Sequence, residues 1–225
     1  MGILLKLSVL LEVVDVIPSK ADMWKALEMR HGKELQSKFS SATVAVCGLG
    51  GLGSNIAISL ARAGIGRLLL VDFDKVDISN LHRQQYKACQ IGMYKTDALA
   101  ANISEIAPYI TVKTYTQKIK AENAYDLLCE ADIICEAFDY AEEKAMLVNF
   151  VLERMPEKHL IAASGMAGLG SPNDIKTRKV GKKFYLCGDE ISDVSEGIGL
   201  LSSRVMLCAA HQAHTVLRIL AGELD

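Results

Sequence analysis

The sequence predicts an α/β fold: a mostly parallel sheet with helices on both faces, plus a small antiparallel extension near the C-terminus. From residue 43 to residue 163, short runs of strand length alternate with segments of helical periodicity. Most of the strand-like runs are apolar throughout, which is typical of strands buried on both faces of a sheet. Two further strand-like runs within residues 175–186 precede a closing helix and predict the antiparallel extension.

The local pattern justifies each element in turn. Apolar or alternating runs predict strands at residues 43–47, 67–71, 111–119, 132–137 and 159–163. Apolar residues at helical spacing predict helices at residues 52–63, 95–106, 122–129, 142–154 and 200–220. Pro108 closes the second of these helices, because proline cannot continue a helix. After residue 164 the alternation stops at a loop that is rich in glycine.

The chain is predicted to contain one domain, residues 25–225, preceded by an extension of residues 1–24. No repeat or linker divides the domain. Residues 1–18 are apolar but are interrupted by Lys6, Glu12 and Asp15, which argues against a transmembrane helix. No cleavage site of small residues follows, so a signal peptide is not expected either. We interpret this stretch as a strand or helix that packs on the domain or on a partner.

Composition and net charge exclude several classes of protein and of binding partner. Of the 225 residues, 50% are hydrophobic and 23% are charged, which excludes a disordered or collagen-like chain. The net charge is −2, so no overall electrostatic attraction to nucleic acid or to a membrane is expected. None of the six cysteines forms a CxxC pair, and we expect reduced thiols and a cytoplasmic protein.

A glycine-rich turn joins the first predicted strand to the following helix, at residues 48–53 (GLGGLG). Glycines let backbone N–H groups approach a phosphate or ribose closely, and a helix N-terminus favours an anion. Asp72 ends the next strand, within reach of a ribose hydroxyl. The pattern predicts a Rossmann-like nucleotide site. Its expected glycines are Gly48, Gly50, Gly51 and Gly53.

Two positively charged side chains near this turn indicate a displacement reaction at a phosphorus atom. A nicotinamide-dependent dehydrogenase shares the glycine pattern, but hydride transfer develops no charge on a phosphate. Displacement at phosphorus does develop such charge, and Arg83 and Lys95 are placed to stabilise it. Asn80 is a candidate for a hydrogen bond to the nucleotide.

Asp139 comes directly after the strand predicted at residues 132–137. Ligands of open α/β sheets bind outside the carboxyl ends of the strands. An acidic residue there can hold a Mg²⁺ ion that bridges phosphates, and it can also cap the next helix. Asp139 is therefore the predicted magnesium ligand.

Four motifs occur in a characteristic order: GLGGLGSN, RLLLVDFDKVDISNLHRQ, IGMYKTDAL and EAFD. With AAHQAHTVLRILAGE near the end, they cover roughly residues 25–223. The chain resembles the ThiF/MoeB branch of the ubiquitin-activating-enzyme superfamily. It is most similar to the short, zinc-free ThiF type, which adenylates the thiamin sulfur carrier.

This resemblance implies a reaction, cofactors and partners. Such proteins bind Mg²⁺ and ATP together with the C-terminal Gly-Gly tail of a small ubiquitin-like sulfur carrier. The tail carboxylate attacks the α-phosphate, pyrophosphate leaves, and an acyl-adenylate forms. The matching positions imply that the glycine turn around Gly50 holds the nucleotide and Asp72 the ribose. Asn80, Arg83 and Lys95 match positions that contact the nucleotide and its phosphates, and Asp139 matches the magnesium-linked acid.

Some features of these relatives are matched by this chain only in part. Relatives are homodimers in which an N-terminal arginine reaches the partner's ATP, and Arg30 is the candidate here. Zinc-binding relatives carry two CxxC pairs that this chain lacks, so no zinc is expected. Sulfur-transferring relatives use a cysteine, for which Cys187 is the candidate. Residues 165–199 are expected to form a groove or flap over the extended tail of the carrier.

Alternative functions remain open from the sequence. A related enzyme could activate a molybdopterin carrier, a small molecule or a tRNA base, as the threonylcarbamoyladenosine dehydratases do. An NAD-dependent oxidoreductase is disfavoured by Arg83 and Lys95. A non-catalytic nucleotide-binding protein is disfavoured because each position expected to contact phosphate is filled.

Overall fold

Seven strands form one sheet in the described part of the chain, which is residues 17–224 of a computed structural model, without the side chain of residue 196. The strands are β1 (Thr43–Cys47), β2 (Arg67–Val71), β3 (Thr111–Tyr115), β4 (Ile133–Glu136), β5 (His159–Ala163), β6 (Lys176–Lys179) and β7 (Phe184–Gly188). The α-helices are α1 (Lys20–His31), α2 (Lys33–Ser41), α3 (Gly51–Arg62), α4 (Lys95–Ile106), α5 (Ala124–Leu128), α6 (Ala141–Arg154) and α7 (Ser202–Ala221). The predicted α/β class, with a mostly parallel sheet, is confirmed.

The strand order is β3-β2-β1-β4-β5-β7-β6, so the chain reverses its direction of travel across the sheet at β1. β1 pairs in parallel with both β2 and β4. A crevice opens outside the carboxyl ends of the strands at such a switch point. The register places Cys47 beside Glu136, and the N–H of Ala137 donates to the carbonyl of Cys47 at 2.8 Å. The turns that follow β1 and β4 are therefore neighbours.

The antiparallel extension is confirmed, and it is continuous with the main sheet. β6 and β7 pair in antiparallel orientation, while β7 pairs in parallel with β5. Cys187 of β7 lies opposite Ala163 of β5, so β7 is an interior strand and β6 forms the edge.

Apolar side chains cover both faces of the sheet and form two cores. Successive residues of a strand point to opposite faces, and β1 shows this directly. Val44 and Val46 belong to the core beneath α3, α4 and α7, and Ala45 and Cys47 belong to the core beneath α5 and α6. These residues are fully buried, which explains why the run is apolar throughout.

Several boundaries differ from the predicted ones for reasons of pairing. β3 ends at Tyr115, because β2, its only strand neighbour within residues 17–224, ends at Val71. α5 begins at Ala124, after a turn in which Asn123 accepts a hydrogen bond from the N–H of Lys120 at 2.7 Å. α2, a short polar helix that buries Phe39, was not predicted from the sequence.

The N-terminal stretch is described only in part. Residues 1–16, which we interpreted as a strand or helix, lie outside the described residues. The proposed domain boundary after residue 24 falls within α1. None of the helices within residues 17–224 combines the length and apolar character needed to cross a membrane.

Candidate active site

A cleft at the carboxyl ends of β1, β2 and β4 brings together several of the residues predicted from sequence. Five of them line one cavity there: Gly48, Gly50, Asp72, Lys95 and Asp139. They come from four separate turns, so the parallel sheet is what makes them neighbours.

The glycines of the turn have different tasks. Gly48 adopts a φ of +88°, and a Cβ on it would lie 2.7 Å from the carbonyl oxygen of Ala137. A Cβ on Gly53 would lie 1.8 Å from the carbonyl oxygen of Gly48, which is a severe clash inside the turn. A Cβ on Gly50 would make only ordinary van der Waals contacts, the nearest at 3.8 Å, and Gly50 lines the cavity. Packing therefore requires glycine at positions 48 and 53, whereas Gly50 leaves room for a ligand.

The N-terminus of α3 points into this region. The first backbone bond within the helix runs from the N–H of Ser54 to the carbonyl of its N-cap, Gly50, at 3.1 Å. The N–H groups of residues 51–53 precede it and have no carbonyl four residues earlier in the helix. Gly50 has no side chain that could cap them. Free N–H groups and the helix dipole together favour an anion here.

Asp72 is fastened to the glycine turn. Its Oδ2 accepts a hydrogen bond from the N–H of Leu49 at 2.6 Å, and its Oδ1 accepts one from the N–H of Asp74 at 2.7 Å. Burial raises the pKa of Asp72, although nearby Lys95 and these two hydrogen bonds act in the opposite direction. Each carboxylate oxygen has a second lone pair, so Asp72 can still accept a hydrogen bond from a ribose hydroxyl.

Lys95 brings a positive charge to the cavity. Its side chain is 7% exposed, and Nζ contacts Oδ2 of Asp74 at 2.8 Å. The backbone N–H of Lys95 also donates to the carbonyl of Asp74 at 2.9 Å. Sequence reasoning had not assigned Asp74 a role, although the DFD motif contained the signal. The pair fixes the direction of the Lys95 ammonium group within the cleft.

Arg83 and Asn80 lie beside the cavity but do not line it. The Cγ of Arg83 would lie 3.5 Å from a Cβ on Gly51, so its stem covers the start of α3. Its Nη1 donates to the carbonyl of Ser79 at 3.2 Å. Asn80 is half-buried at the end of a short 3₁₀ turn, and its Nδ2 lies 3.4 Å from Oγ of Ser79. Arg83 thus adjoins the anion-binding end of α3.

A hydrogen-bond network holds the Arg83 turn against α3. Asn55 Nδ2 donates to the carbonyl of Gly51 at 2.7 Å and to that of Arg83 at 3.2 Å. Gln85 Nε2 donates to Oδ1 of Asn55 at 2.7 Å, and the N–H of Gln85 donates to Oγ of Ser54 at 3.1 Å. These bonds tie the turn to the first two turns of the helix.

Asp139 occupies the turn between β4 and α6. Its carboxylate is exposed, and both oxygens lie 3.8 Å from the position of a Cβ on Gly50. The expected capping role is not observed, because the N-cap residue of α6 is Tyr140. Asp139 is therefore available to a ligand that lies over Gly50.

A buried ion pair braces the Asp139 turn and was missed from sequence, although Glu136 belongs to the EAFD motif. Glu136 is fully buried and accepts hydrogen bonds from Nζ of Lys144 at 2.9 and 3.0 Å. Lys144 also donates to the carbonyl of Phe138 at 2.8 Å, and the N–H of Phe138 donates to Glu136 at 2.7 Å. Burial raises the pKa of Glu136, and Lys144 opposes that rise.

Two residues singled out from sequence lie away from this cleft in the chain. Cys187 is fully buried in β7, and burial raises its pKa to about 11, so its thiolate is disfavoured. Arg30, in the last turn of α1, lines a different cavity together with Gly64. Gly64 precedes β2, so this cavity lies near the amino ends of the strands, away from the cleft at their carboxyl ends. The structure gives Cys187 the surroundings of an unreactive thiol and keeps Arg30 away from the cleft of its own chain.

A groove continues from Asp139 toward β6. Asp139 also lines a second cavity with Ser164, Gly165 and Asp193, and a third cavity beyond it extends to β6. Gly165 has a φ of +78°, and a Cβ there would lie 2.0 Å from Oδ1 of Asp189. Part of the segment predicted to form a flap therefore lines these two cavities, which share Ala167, Ser192 and Asp193.

An ion pair between Asp189 and Arg204 of α7 anchors this groove. The two side chains are 7% and 6% exposed. Arg204 also donates to the carbonyl of Ser171 at 2.9 Å. Burial acts to raise the pKa of Asp189, but hydrogen bonds from Ser192, Ile191 and Arg204 outweigh it and hold the pKa at about 2.

Acid is expected to weaken the fold through Asp189. Its pKa is lower in the folded chain than the ordinary 3.8, so the unfolded chain binds the proton more tightly. The contribution to stability is therefore complete above about pH 4 and is lost as the pH falls toward 2. Urea unfolding at pH 3 and pH 6 should show a smaller pH dependence for Asp189→Asn than for the natural chain. An equal pH dependence in both would contradict this assignment.

Comparison with known proteins shows which family and which proteins this chain is similar to in sequence. The model of the ThiF family matches residues 25–225. The "Adenylyltransferase and sulfurtransferase UBA4" of Scheffersomyces stipitis is 31% identical over 195 residues, which is 83% of this chain and 43% of that protein. The "Ubiquitin-like modifier-activating enzyme 5" of Bombyx mori is 33% identical over 158 residues, or 65% of this chain and 39% of that protein. The chain thus spans less than half of the length of either relative.

A solved structure shares the fold over nearly its whole length. The tRNA N6-threonylcarbamoyladenosine dehydratase TcdA of E. coli, in complex with ATP, superposes with a TM-score of 0.81 and 21% sequence identity. The match covers 92% of this chain and 98% of that one. It supports the Rossmann-like arrangement predicted from the glycine turn.

Proposed function

Because the chain belongs to the ThiF family, we propose that it uses ATP to adenylate the C-terminal carboxylate of a small ubiquitin-like protein. The observation that carries the proposal is the cleft itself. The N-terminus of α3, the ammonium group of Lys95 and the carboxylate of Asp139 surround the cavity that Gly50 lines. An anion-binding helix end beside both a cation and a free carboxylate suits a nucleotide triphosphate.

Each residue of the cleft would bind the part of the nucleotide that lies nearest to it. Asp72 would accept a hydrogen bond from the ribose, because it is already held against the glycine turn by the N–H of Leu49. Lys95 and the first N–H groups of α3 would bind the phosphates and stabilise the negative charge that grows during displacement at phosphorus. Arg83, whose stem covers Gly51, would add charge from the other side of the helix end.

Magnesium fits the acidic side of the cleft. Carboxylate oxygens are preferred Mg²⁺ ligands, and Asp139 presents two of them toward Gly50. Mg²⁺ bound there with ATP would neutralise charge on the phosphates. A carboxylate nucleophile is ionised at neutral pH, so the protein needs no general base and acts by positioning and charge stabilisation.

The groove beyond Asp139 suits an extended peptide tail. It passes Ser164 and Gly165 and opens toward β6. Gly168 has a φ of +73°, and a Cβ there would meet only the carbonyl oxygen of Ile198, at 3.9 Å. A Gly-Gly tail has no side chains to obstruct such a passage. The tail would reach the space over Gly50 from this side.

The proposed substrate is a sulfur carrier of the ThiS type, used in thiamin biosynthesis. The names of the UBA4 relatives and of an MOCS3 relative combine adenylyltransferase with sulfurtransferase, which supports a sulfur carrier. The resemblance to short, zinc-free ThiF proteins favours the thiamin branch. The proposal includes a homodimer, since only a second copy could bring Arg30 to the phosphates of this cleft. It assigns no sulfur chemistry to Cys187, which is buried.

The test is ATP–pyrophosphate exchange with purified carrier proteins that end in Gly-Gly. A carrier shortened by its last glycine is the matched control, because it lacks the carboxylate at the required position. Exchange that depends on the intact ThiS-type carrier would support the proposal. Exchange with another carrier alone would overturn the thiamin assignment. ATP binding without exchange across the carriers would overturn carrier adenylation and favour activation of a small molecule or a tRNA base.

A further inference from the structure

A cavity near the amino ends of the strands is lined mostly by apolar side chains. It lies between α1 and the C-terminal ends of α3 and α4, and it is the cavity that Arg30 lines. Its apolar lining residues are Met23, Trp24, Ala26, Leu27, Ala61, Ile106, Ala107 and Ile110. None of these eight has a task in the proposed reaction. Contiguous apolar surface on a folded chain commonly marks a binding site.

α1 forms one wall of this cavity and is incompletely covered. It is a helix of 12 residues, and none of them is buried. Met23, Trp24 and Leu27 line the cavity but are only half-buried. Large apolar side chains of a folded domain are more often buried. The described residues therefore leave this wall of the cavity without a full packing partner.

The first described residues lie at the edge of the same cavity. The hydroxyl of Tyr109, which lines the cavity, donates to the carbonyl of Pro18 at 2.8 Å. Ile17 precedes Pro18 and is 65% exposed, so residues 1–16 are attached beside the cavity. A chain of this length can span up to about 50 Å, which is far more than the position requires. A segment tethered so closely has an effective concentration in the millimolar range, so even a weak contact would be populated.

Residues 1–16 complement the cavity in both composition and charge. Ten of them are Leu, Ile or Val. The charged residues that line the cavity are all positive, namely Lys20, Arg30 and Arg62. Residues 1–16 contain three charged side chains, and the two nearest in sequence to residue 17 are negative, namely Glu12 and Asp15. The segment can therefore supply apolar side chains to the cavity and carboxylates to its rim.

We propose that residues 1–16 dock in this cavity of their own chain and pack against Met23, Trp24 and Leu27. A second copy of the chain or a lipid surface would also suit apolar side chains, but neither is held beside the cavity by a covalent link. The docked segment would hold α1 on the domain and thereby support the helix that carries Arg30. The proposal does not depend on the nucleotide site.

Trp24 provides the measurement, because it is the only tryptophan of the chain and lines the cavity. The test variant combines Leu4→Gln, Leu5→Gln, Leu10→Gln and Leu11→Gln in the full chain. Its matched control carries methionine at the same four positions, which keeps them apolar and similar in volume. Acrylamide should quench Trp24 fluorescence more strongly in the glutamine variant than in the natural chain, and the emission should shift to longer wavelength. The methionine control should match the natural chain, and circular dichroism checks the fold of both variants.

Three results would overturn the proposal. Equal quenching in the natural chain and the glutamine variant would show that residues 1–16 do not cover Trp24. Shielding that grows over about a 100-fold range of protein concentration would identify a second copy as the occupant, because a contact within one chain does not depend on concentration. Shielding that develops only when phospholipid vesicles are added would identify a lipid surface instead.

Discussion

Asp139→Asn is expected to lower the rate of carrier-dependent ATP–pyrophosphate exchange by about 10²-fold to 10³-fold, a typical cost of removing one group that stabilises charge in a transition state. Asparagine keeps the shape of the side chain and removes its charge, so its affinity for Mg²⁺ is reduced. The measurement is the exchange rate at saturating ATP and carrier, over a range of Mg²⁺ concentrations.

Folding should not change in this variant. Asp139 is exposed and does not cap α6, so the free energy of unfolding should match that of the natural chain. Asp126→Asn provides a matched control, since it removes an exposed aspartate of α5, a helix on one face of the sheet. The control should retain full exchange. Full exchange in Asp139→Asn would remove Asp139 from the mechanism.

Lys144→Met is expected to lower the free energy of unfolding by about 3–5 kcal/mol, the usual cost of removing one partner of a buried ion pair. Glu136 is fully buried and would lose its counter-charge. The carbonyl of Phe138 would also lose the hydrogen bond from Lys144. Urea unfolding at pH 7 measures the change.

A second variant identifies the cause. Adding Glu136→Gln to Lys144→Met removes the uncompensated charge, and the amide oxygen can still accept the bond from the N–H of Phe138. The double variant should therefore be more stable than Lys144→Met alone. The penalty of Lys144→Met should also shrink at low pH, because Glu136 can then take up a proton. Equal stability of the single and double variants would show that the ion pair is not the cause.

The central elements could be predicted because their signals are local. β1, β2, β5 and α4 have the predicted bounds, since a continuous apolar run or a helical repeat needs no information from the rest of the chain. β3 and α5 were predicted too long. The end of β3 depends on its pairing with β2, and the start of α5 depends on the turn at Asn123.

The candidate site was predictable where position along the chain fixes position in space. Gly50, Asp72 and Asp139 each follow a parallel strand, and the carboxyl ends of parallel strands meet at one edge. Cys187 shows the opposite case. Its polar neighbours in the sequence suggested an accessible thiol. In the structure β7 lies between β5 and β6, and α7 covers the face of β7 that carries Cys187.

By itself, the sequence determined the α/β class, the glycine turn and the acidic residues that follow β2 and β4, because these depend on short-range periodicity and on chain order. Only the tertiary structure decided which side chains face the cleft. The pairing of Lys95 with Asp74 and the ion pair of Glu136 with Lys144 join separate elements of the chain. Their geometry depends on burial and on distances of a few ångströms across the sheet, which no local pattern of residues encodes.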